Sequence, residues 1–133
     1  MKIEDVEGIG PTFAAKLSAA GVGTTDALLE HGATAGGRDK LSEATGISGK
    51  LILEWVNHAD LFRIDGVGSE YADLLEAAGV DTVVELATRN AENLTAKLAE
   101  VNAGKSLVRS VPGLAQVEKW IAQATTLERA VHH

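Results

Sequence analysis

The chain has 133 residues, a net charge of −7 and no cysteine. Its hydrophobic content of 45% is typical of a globular protein, and no apolar run approaches the roughly 20 residues that span a bilayer, so we expect no membrane association. Without cysteine there are no disulfides and no thiolate metal sites, and we expect a cytoplasmic protein. An acidic chain repels nucleic acid at long range, although a local basic patch can still bind it.

The first predicted element is a tight turn at Gly8-Ile9-Gly10, followed by a short helix that begins at Pro11. Glycine inside a helix costs about 1 kcal/mol relative to alanine, whereas proline suits the first helical position. Gly21 is predicted to end this helix, because glycine accepts the left-handed conformation that helix ends need. Thr24 is then predicted to cap the next short helix with its hydroxyl.

Residues 31–38 are rich in glycine and aperiodic, so we predict a loop there. Asp39 is expected to cap the helix that follows, and Gly46 to end it. Ser48 is expected to cap a further helix with an amphipathic stripe. The apolar residues of this stripe are Leu51, Ile52, Trp55, Val56 and Ala59. These elements complete a first half, residues 1–60.

The second half, residues 61–133, follows the same plan. A second glycine turn and helix are predicted over residues 64–79, and the segment from Thr82 to Glu85 has the pattern of a capping box. Further helices are expected around residues 94–101 and from Pro112 onwards, separated by an insertion at residues 103–110. No stretch alternates with period two, so the predicted fold is all-α, with duplicated units packed into one compact globule.

The two ends of the chain show neither a secretory signal nor a predicted helix. No basic stretch followed by an apolar one opens the chain, so we expect no secretory signal. Residues 130–133 are expected to form a tail. His132 and His133 belong either to the natural protein or to the stub of a purification tag.

An internal repeat supports the division into halves. A shift of 58 positions aligns residues 6–30 with residues 64–88, and ten of the 25 aligned pairs are identical. In the first copy the identical residues are Gly8, Gly10, Ala14, Leu17, Ala19, Ala20, Gly21, Val22, Thr24 and Leu28. A repeat of this quality indicates a duplicated structural unit.

The pattern Ile3-x-x-Val6-x-Gly8-Ile9-Gly10-x-x-x-Ala14-x-x-Leu17-x-x-x-Gly21 resembles the helix-hairpin-helix (HhH) motif of many DNA repair and recombination proteins. The resemblance implies that backbone amides of the hairpin hold a DNA phosphate without reading sequence. The order of elements along the whole chain also resembles a family of small bacterial proteins known only as a domain of unknown function. That second resemblance implies a fold and no biochemistry.

The glycine turns allow a functional and a structural interpretation. In the first, amides and neighbouring side chains of the first turn hold a phosphate; these residues are Gly8, Ile9, Gly10, Thr12 and Lys16. Members of the HhH family that bind DNA commonly carry Lys or Arg just after the hairpin, where this chain has Thr12 and Glu70. We predict that the second turn, Gly66-Val67-Gly68, is structural, because Glu70 and Asp73 oppose a phosphate.

Four further cations are candidates for a binding patch. Lys50, Lys105, Arg109 and Lys119 form a small cationic patch if the fold brings them together, and are otherwise ordinary solvated charges. No Ser/His/Asp arrangement and no histidine pair at metal-ligand spacing is present, so we expect no enzyme, no metal and no cofactor. The sequence therefore predicts a non-enzymatic binding module, and its charge favours protein interaction or scaffolding over nucleic-acid binding. It names neither the protein partner nor the oligomeric state.

Overall fold

The computed structural model describes all residues from Met1 to His133 and contains eight α-helices and no β-strand. The helices are α1 (Pro11–Ala19), α2 (Thr25–His31), α3 (Ala35–Thr45), α4 (Gly49–Leu61), α5 (Ser69–Ala77), α6 (Val83–Ala87), α7 (Ala91–Lys105) and α8 (Leu114–Ala124). A short 3₁₀ helix, Ile3–Asp5, precedes α1. The predicted all-α class is confirmed. None of these helices has the length and apolar character needed to cross a membrane.

The chain divides into two compact units. Unit 1 comprises Met1–Asp60 together with Ala130–His133, and unit 2 comprises Leu61–Arg129. The principal buried apolar residues of unit 1 are Ile3, Val6, Ile9, Leu17, Val22, Leu28, Leu41, Ile52, Trp55 and Val56. Those of unit 2 are Ile64, Leu75, Val80, Val83, Leu86, Leu94, Leu98, Val117 and Trp120. Each unit thus has its own apolar core, and burial of this apolar surface is the main contribution to its stability.

Side-chain caps begin several helices where the sequence predicts them. The hydroxyl of Thr24 accepts the N–H of Ala27 at 3.1 Å at the start of α2. The hydroxyl of Thr82 accepts the N–H of Glu85 at 3.3 Å at the start of α6. Pro11 occupies the first position of α1. These predictions are confirmed, because a cap involves groups only three residues apart and depends little on the rest of the fold.

The helix-ending glycines also have the predicted conformation. Gly21 has φ +88° and Gly79 has φ +92°. After α1 the N–H of Val22 donates to the carbonyl of Leu17 at 2.8 Å, and the corresponding bond after α5 is 2.9 Å long. This is the Schellman arrangement, which pairs helix carbonyls that otherwise have no partner.

The predicted loop at residues 31–38 is wrong in its second part. Helix α3 already begins at Ala35, and its cap is Thr34, whose hydroxyl accepts the N–H of Gly37 at 3.1 Å. Asp39 is therefore the fifth residue of the helix and not its cap. Glycine-rich sequence favours a loop locally, but it does not exclude a helix.

Close packing explains the glycines of this segment. A Cβ atom on Gly32 would overlap Cγ2 of Val56, and a Cβ atom on Gly37 would overlap the carbonyl oxygen of His31. Any larger residue at either position would push apart neighbouring backbone or side-chain atoms. The glycines thus permit the close approach of helices, and tertiary packing overrides the local preference for a loop.

The region before the last helix also differs from the prediction. Helix α7 continues to Lys105, so the first part of the predicted insertion at residues 103–110 is helical. Helix α8 begins at Leu114 rather than at Pro112, because Gly113 is extended and serves as the N-cap. Pro112 itself is buried and lies outside the helix.

The C-terminal residues pack on unit 1, contrary to the expected tail. Val131 is buried, and the N–H of His132 donates to the carbonyl of Ala33 at 2.7 Å. The guanidinium of Arg38, which is 7% exposed, donates to the carbonyl of Gly32 at 2.8 Å and to that of His132 at 2.9 Å. A buried cation requires hydrogen-bond acceptors, and the chain end supplies one of them.

Candidate functional site

The first glycine turn, Gly8-Ile9-Gly10, does not present three free amides. The N–H of Ile9 donates to the carbonyl of Val6 at 3.0 Å, and Ile9 is buried. The amides of Gly8 and Gly10 make no hydrogen bond within the chain. The phosphate hypothesis requires all three amides to face solvent, so this part of it is wrong. A turn of this kind closes on its own middle amide, and the bond cannot be read from the glycine spacing.

Each glycine turn packs against a tryptophan. Gly8 has φ +87°, and a Cβ atom there would lie 3.5 Å from Nε1 of Trp55. In unit 2, Gly66 has φ +89°, and the corresponding distance to Nε1 of Trp120 is 3.4 Å. Both tryptophans are buried. The turns therefore have a packing role in both units.

An aromatic ring from the following helix completes each of these arrangements. The ring centroids of Phe13 and Trp55 are 5.2 Å apart at an interplanar angle of 58°. Those of Tyr71 and Trp120 are 5.3 Å apart at 60°. Tilted pairs at this separation are favourable because the edge of one ring meets the face of the other.

The surface beside the first turn is acidic. Residues 4–10 line an open cleft of about 420 Å³, and three carboxylates belong to this lining. We call these residues, Glu4, Asp5 and Glu7, the acidic rim. All three are exposed, and neither Glu4 nor Asp5 takes part in an ion pair. The cleft therefore has a local negative charge that opposes a phosphate.

The side chains predicted to assist phosphate binding lie on α1. Thr12 and Lys16 are both exposed on this helix. Lys16 is its only cation, and Lys2 is the only cation in the segment before it. The N-cap Gly10 provides no side-chain cap, so the first amides of α1 have no partner from the cap residue. The positive end of a helix dipole is thus present, but few cations accompany it.

The second glycine turn, Gly66-Val67-Gly68, is closed by two hydrogen bonds. The N–H of Val67 donates to the carbonyl of Ile64 at 3.1 Å. The N–H of Asp65 donates to Oε1 of Gln123 on α8 at 2.9 Å. Glu70 is exposed in the first turn of α5. The amides of Gly66 and Gly68, like those of Gly8 and Gly10, make no hydrogen bond within the chain, so the structural role of this turn stays a prediction.

The four cations proposed as a patch are exposed and belong to different units. Lys50 lies near the start of α4 in unit 1. In unit 2, Lys105 ends α7, Arg109 lies in the segment after it, and Lys119 lies on α8. The structure gives no contact among the three cations of unit 2.

The segment between α7 and α8 is held in place by side chains that the sequence analysis did not single out. The side-chain amide of Asn102 donates to the carbonyl of Val108 at 3.0 Å and accepts its N–H at 2.9 Å. The hydroxyl of Tyr71 donates to the carbonyl of Ser110 at 3.0 Å. Such bonds join groups six and 39 residues apart, so local sequence patterns do not reveal them.

With its eight helices and no strand, the chain is a small all-helical protein. The chain belongs to the family described as domain of unknown function (DUF4332), whose model matches residues 7–127. No curated protein and no solved structure matches the chain.

Proposed function

We propose that the protein is a non-enzymatic binding module that recognises another protein, with the acidic rim as part of its binding surface. The observation that carries this proposal is the set of carboxylates from Glu4, Asp5 and Glu7 beside the first glycine turn. A phosphate would meet like charges there, whereas basic side chains of a protein partner would complement them. Unit 1 supports this choice, since it has five Lys and Arg against nine Asp and Glu.

The architecture that we propose for this module is a duplicated helix-hairpin-helix fold. Its support is the recurrence in unit 2 of two features of unit 1. In both units the first turn glycine, Gly8 or Gly66, has positive φ, and a Cβ atom there would lie beside the indole nitrogen of a tryptophan. In both units a left-handed glycine, Gly21 or Gly79, ends the following helix. The sequence repeat aligns these same pairs of residues.

Nucleic-acid backbone binding at the first turn is the second candidate. It is favoured by the unpaired amides of Gly8 and Gly10 next to the start of α1, where the helix dipole attracts an anion. Lys16 is the only cation that α1 adds to them. Neutralising one or two phosphates gives a salt dependence with a log–log slope of about −1 to −2, which corresponds to weak binding.

The first experiment separates these candidates by titration of labelled duplex DNA at low ionic strength. We expect no measurable binding by the wild-type protein. The Lys16→Glu variant is the matched test, because Lys16 is exposed and we expect its replacement to leave the fold intact. Saturable, sequence-independent binding that Lys16→Glu abolishes would contradict the proposal and favour the nucleic-acid candidate.

The second experiment tests protein recognition directly. Crosslinked partners of the wild-type protein are compared with those of a Glu4→Gln/Asp5→Asn variant. A control variant, Glu43→Gln/Glu100→Gln, loses the same charge at exposed helical positions away from the rim. We expect at least one protein to be recovered with the wild type and the control and lost with the rim variant. Identical recovery with all three proteins would show that the rim is not a binding surface.

A further inference from the structure

Only three large apolar side chains of the chain are exposed. They are Met1 at 48%, Val111 at 37% and Leu114 at 42%. Val111 and Leu114 lie close together in sequence, just before and at the start of α8. Single exposed apolar residues are common on protein surfaces, but a pair on an ordered segment is a more specific feature.

The segment that carries this pair is anchored from both sides. Asn102 holds Val108 through two hydrogen bonds, and Tyr71 holds the carbonyl of Ser110. Val108 and Pro112 are buried, so the chain is fixed on either side of the exposed Val111. The exposed side chains are thus presented by a preorganised segment, which reduces the entropy lost when a partner binds.

The same segment is basic within an acidic chain. Residues 101–117 contain two cations, Lys105 and Arg109, and no acidic residue. Both cations are exposed, and neither takes part in an ion pair. We call the four residues Lys105, Arg109, Val111 and Leu114 the basic loop surface. It combines positive charge with apolar side chains, as a protein-binding surface does.

The acidic rim of unit 1 has the complementary properties. The carboxylates of Glu4 and Asp5 are exposed and unpaired. The rim therefore offers negative charge, and the basic loop surface offers positive charge together with two apolar side chains. Complementary charge on two surfaces of one chain favours their contact between separate molecules.

We propose that the acidic rim of one molecule binds the basic loop surface of a second copy of the chain. This inference rests on the proposed function, because it names the partner of the acidic rim. A second copy fits the basic loop surface better than a nucleic acid does. Val111 and Leu114 contribute nothing to contacts with phosphates, and two cations neutralise few of them. Each molecule thus has both surfaces that the contact requires.

The test is sedimentation of the full chain from about 10 µM to about 1 mM in about 50 mM salt. We expect weak association that increases with concentration, and raising the salt to about 500 mM should weaken it about tenfold, since exposed ion pairs are screened. Two charge-reversed variants, Glu4→Lys/Asp5→Lys and Lys105→Glu/Arg109→Glu, should each remain monomeric. Mixing the two variants should restore association, because the reversed surfaces complement each other.

Two further variants separate the effect of position from the effect of charge. Glu43→Lys/Glu100→Lys makes the same charge change as the rim variant at other exposed positions, and should associate as the wild type does. Val111→Ser/Leu114→Ser should weaken association without changing charge.

A monomeric wild type at about 1 mM, or failure of the mixed variants to associate, would refute the inference. Duplex binding that only Lys105→Glu/Arg109→Glu abolishes would assign the basic loop surface to nucleic acid. A monomeric wild type that still captures a different protein through Glu4 and Asp5 would refute self-association and leave the proposed function standing.

Discussion

Replacement of Gly21 by alanine isolates the energy of one backbone conformation. Gly21 has φ +88°, and no atom lies within 4 Å of the position that a Cβ atom would take. The added methyl group therefore meets no steric obstacle outside its own backbone. The cost that remains is the left-handed conformation of an L-residue, about 1–2 kcal/mol. Gly79, with φ +92° and equally open surroundings, should show a similar cost in unit 2.

Gly36 is the matched control for this prediction. It lies in the first turn of α3, and a Cβ atom there would also have no neighbour within 4 Å. Its φ is not positive, so Gly36→Ala should stabilise the protein by about 0.5–1 kcal/mol, because alanine has the higher helix propensity. Gly21→Asn should cost less than Gly21→Ala, since asparagine tolerates the left-handed region.

Urea denaturation followed by circular dichroism measures these differences. We expect a lower midpoint for Gly21→Ala, a higher one for Gly36→Ala and an unchanged slope for both, since the area exposed on unfolding is the same. A neutral result for both Gly21→Ala and Gly79→Ala would refute the argument from backbone strain. Equal destabilisation by Gly36→Ala would show that any added methyl group is harmful.

Two hydrogen-bonded side chains provide further predictions. Arg38→Met should lower the free energy of unfolding by about 2–3 kcal/mol, because two carbonyls lose a charged donor. Faster hydrogen exchange at the His132 amide should accompany this loss, and the exposed Lys40→Met serves as a control that changes neither property. Asn102→Ala should cost about 1–2 kcal/mol and increase exchange at the Val108 amide, because both hydrogen bonds to Val108 are lost. Unchanged exchange at both amides would show that these bonds do not hold the chain end and the segment before α8.

The acidic rim shows how a local surface can change the meaning of a motif. The spacing of Gly8 and Gly10 is typical of a phosphate-binding hairpin, and their amides are unpaired, although the amide of Ile9 between them is not. The three carboxylates beside them make the cleft negatively charged, so that it repels a phosphate. Electrostatic attraction to phosphates supplies most non-specific affinity for nucleic acids. The motif alone therefore does not predict the ligand, and the charges around it have to be considered together with it.

The sequence by itself determined the features that depend on neighbours three or four residues apart. Thr24 and Thr82 cap helices, and Gly21 ends one, because the hydrogen bonds involved join positions within a single turn. The all-helical class followed from the period of the apolar residues, which also placed Trp55 in the buried stripe of α4.

Only the tertiary structure decided the features that depend on distant partners. Glycine at positions 32 and 37 allows close packing between elements, so a glycine-rich segment that locally resembles a loop continues into helix α3. The chain end is bound to unit 1 through His132, which is bonded to Ala33 and Arg38, about 100 residues earlier in the chain. The amide of Ile9 is unavailable to a ligand because the turn, packed against Trp55, closes on it. Contacts of this kind arise from packing in three dimensions, which no short-range pattern encodes.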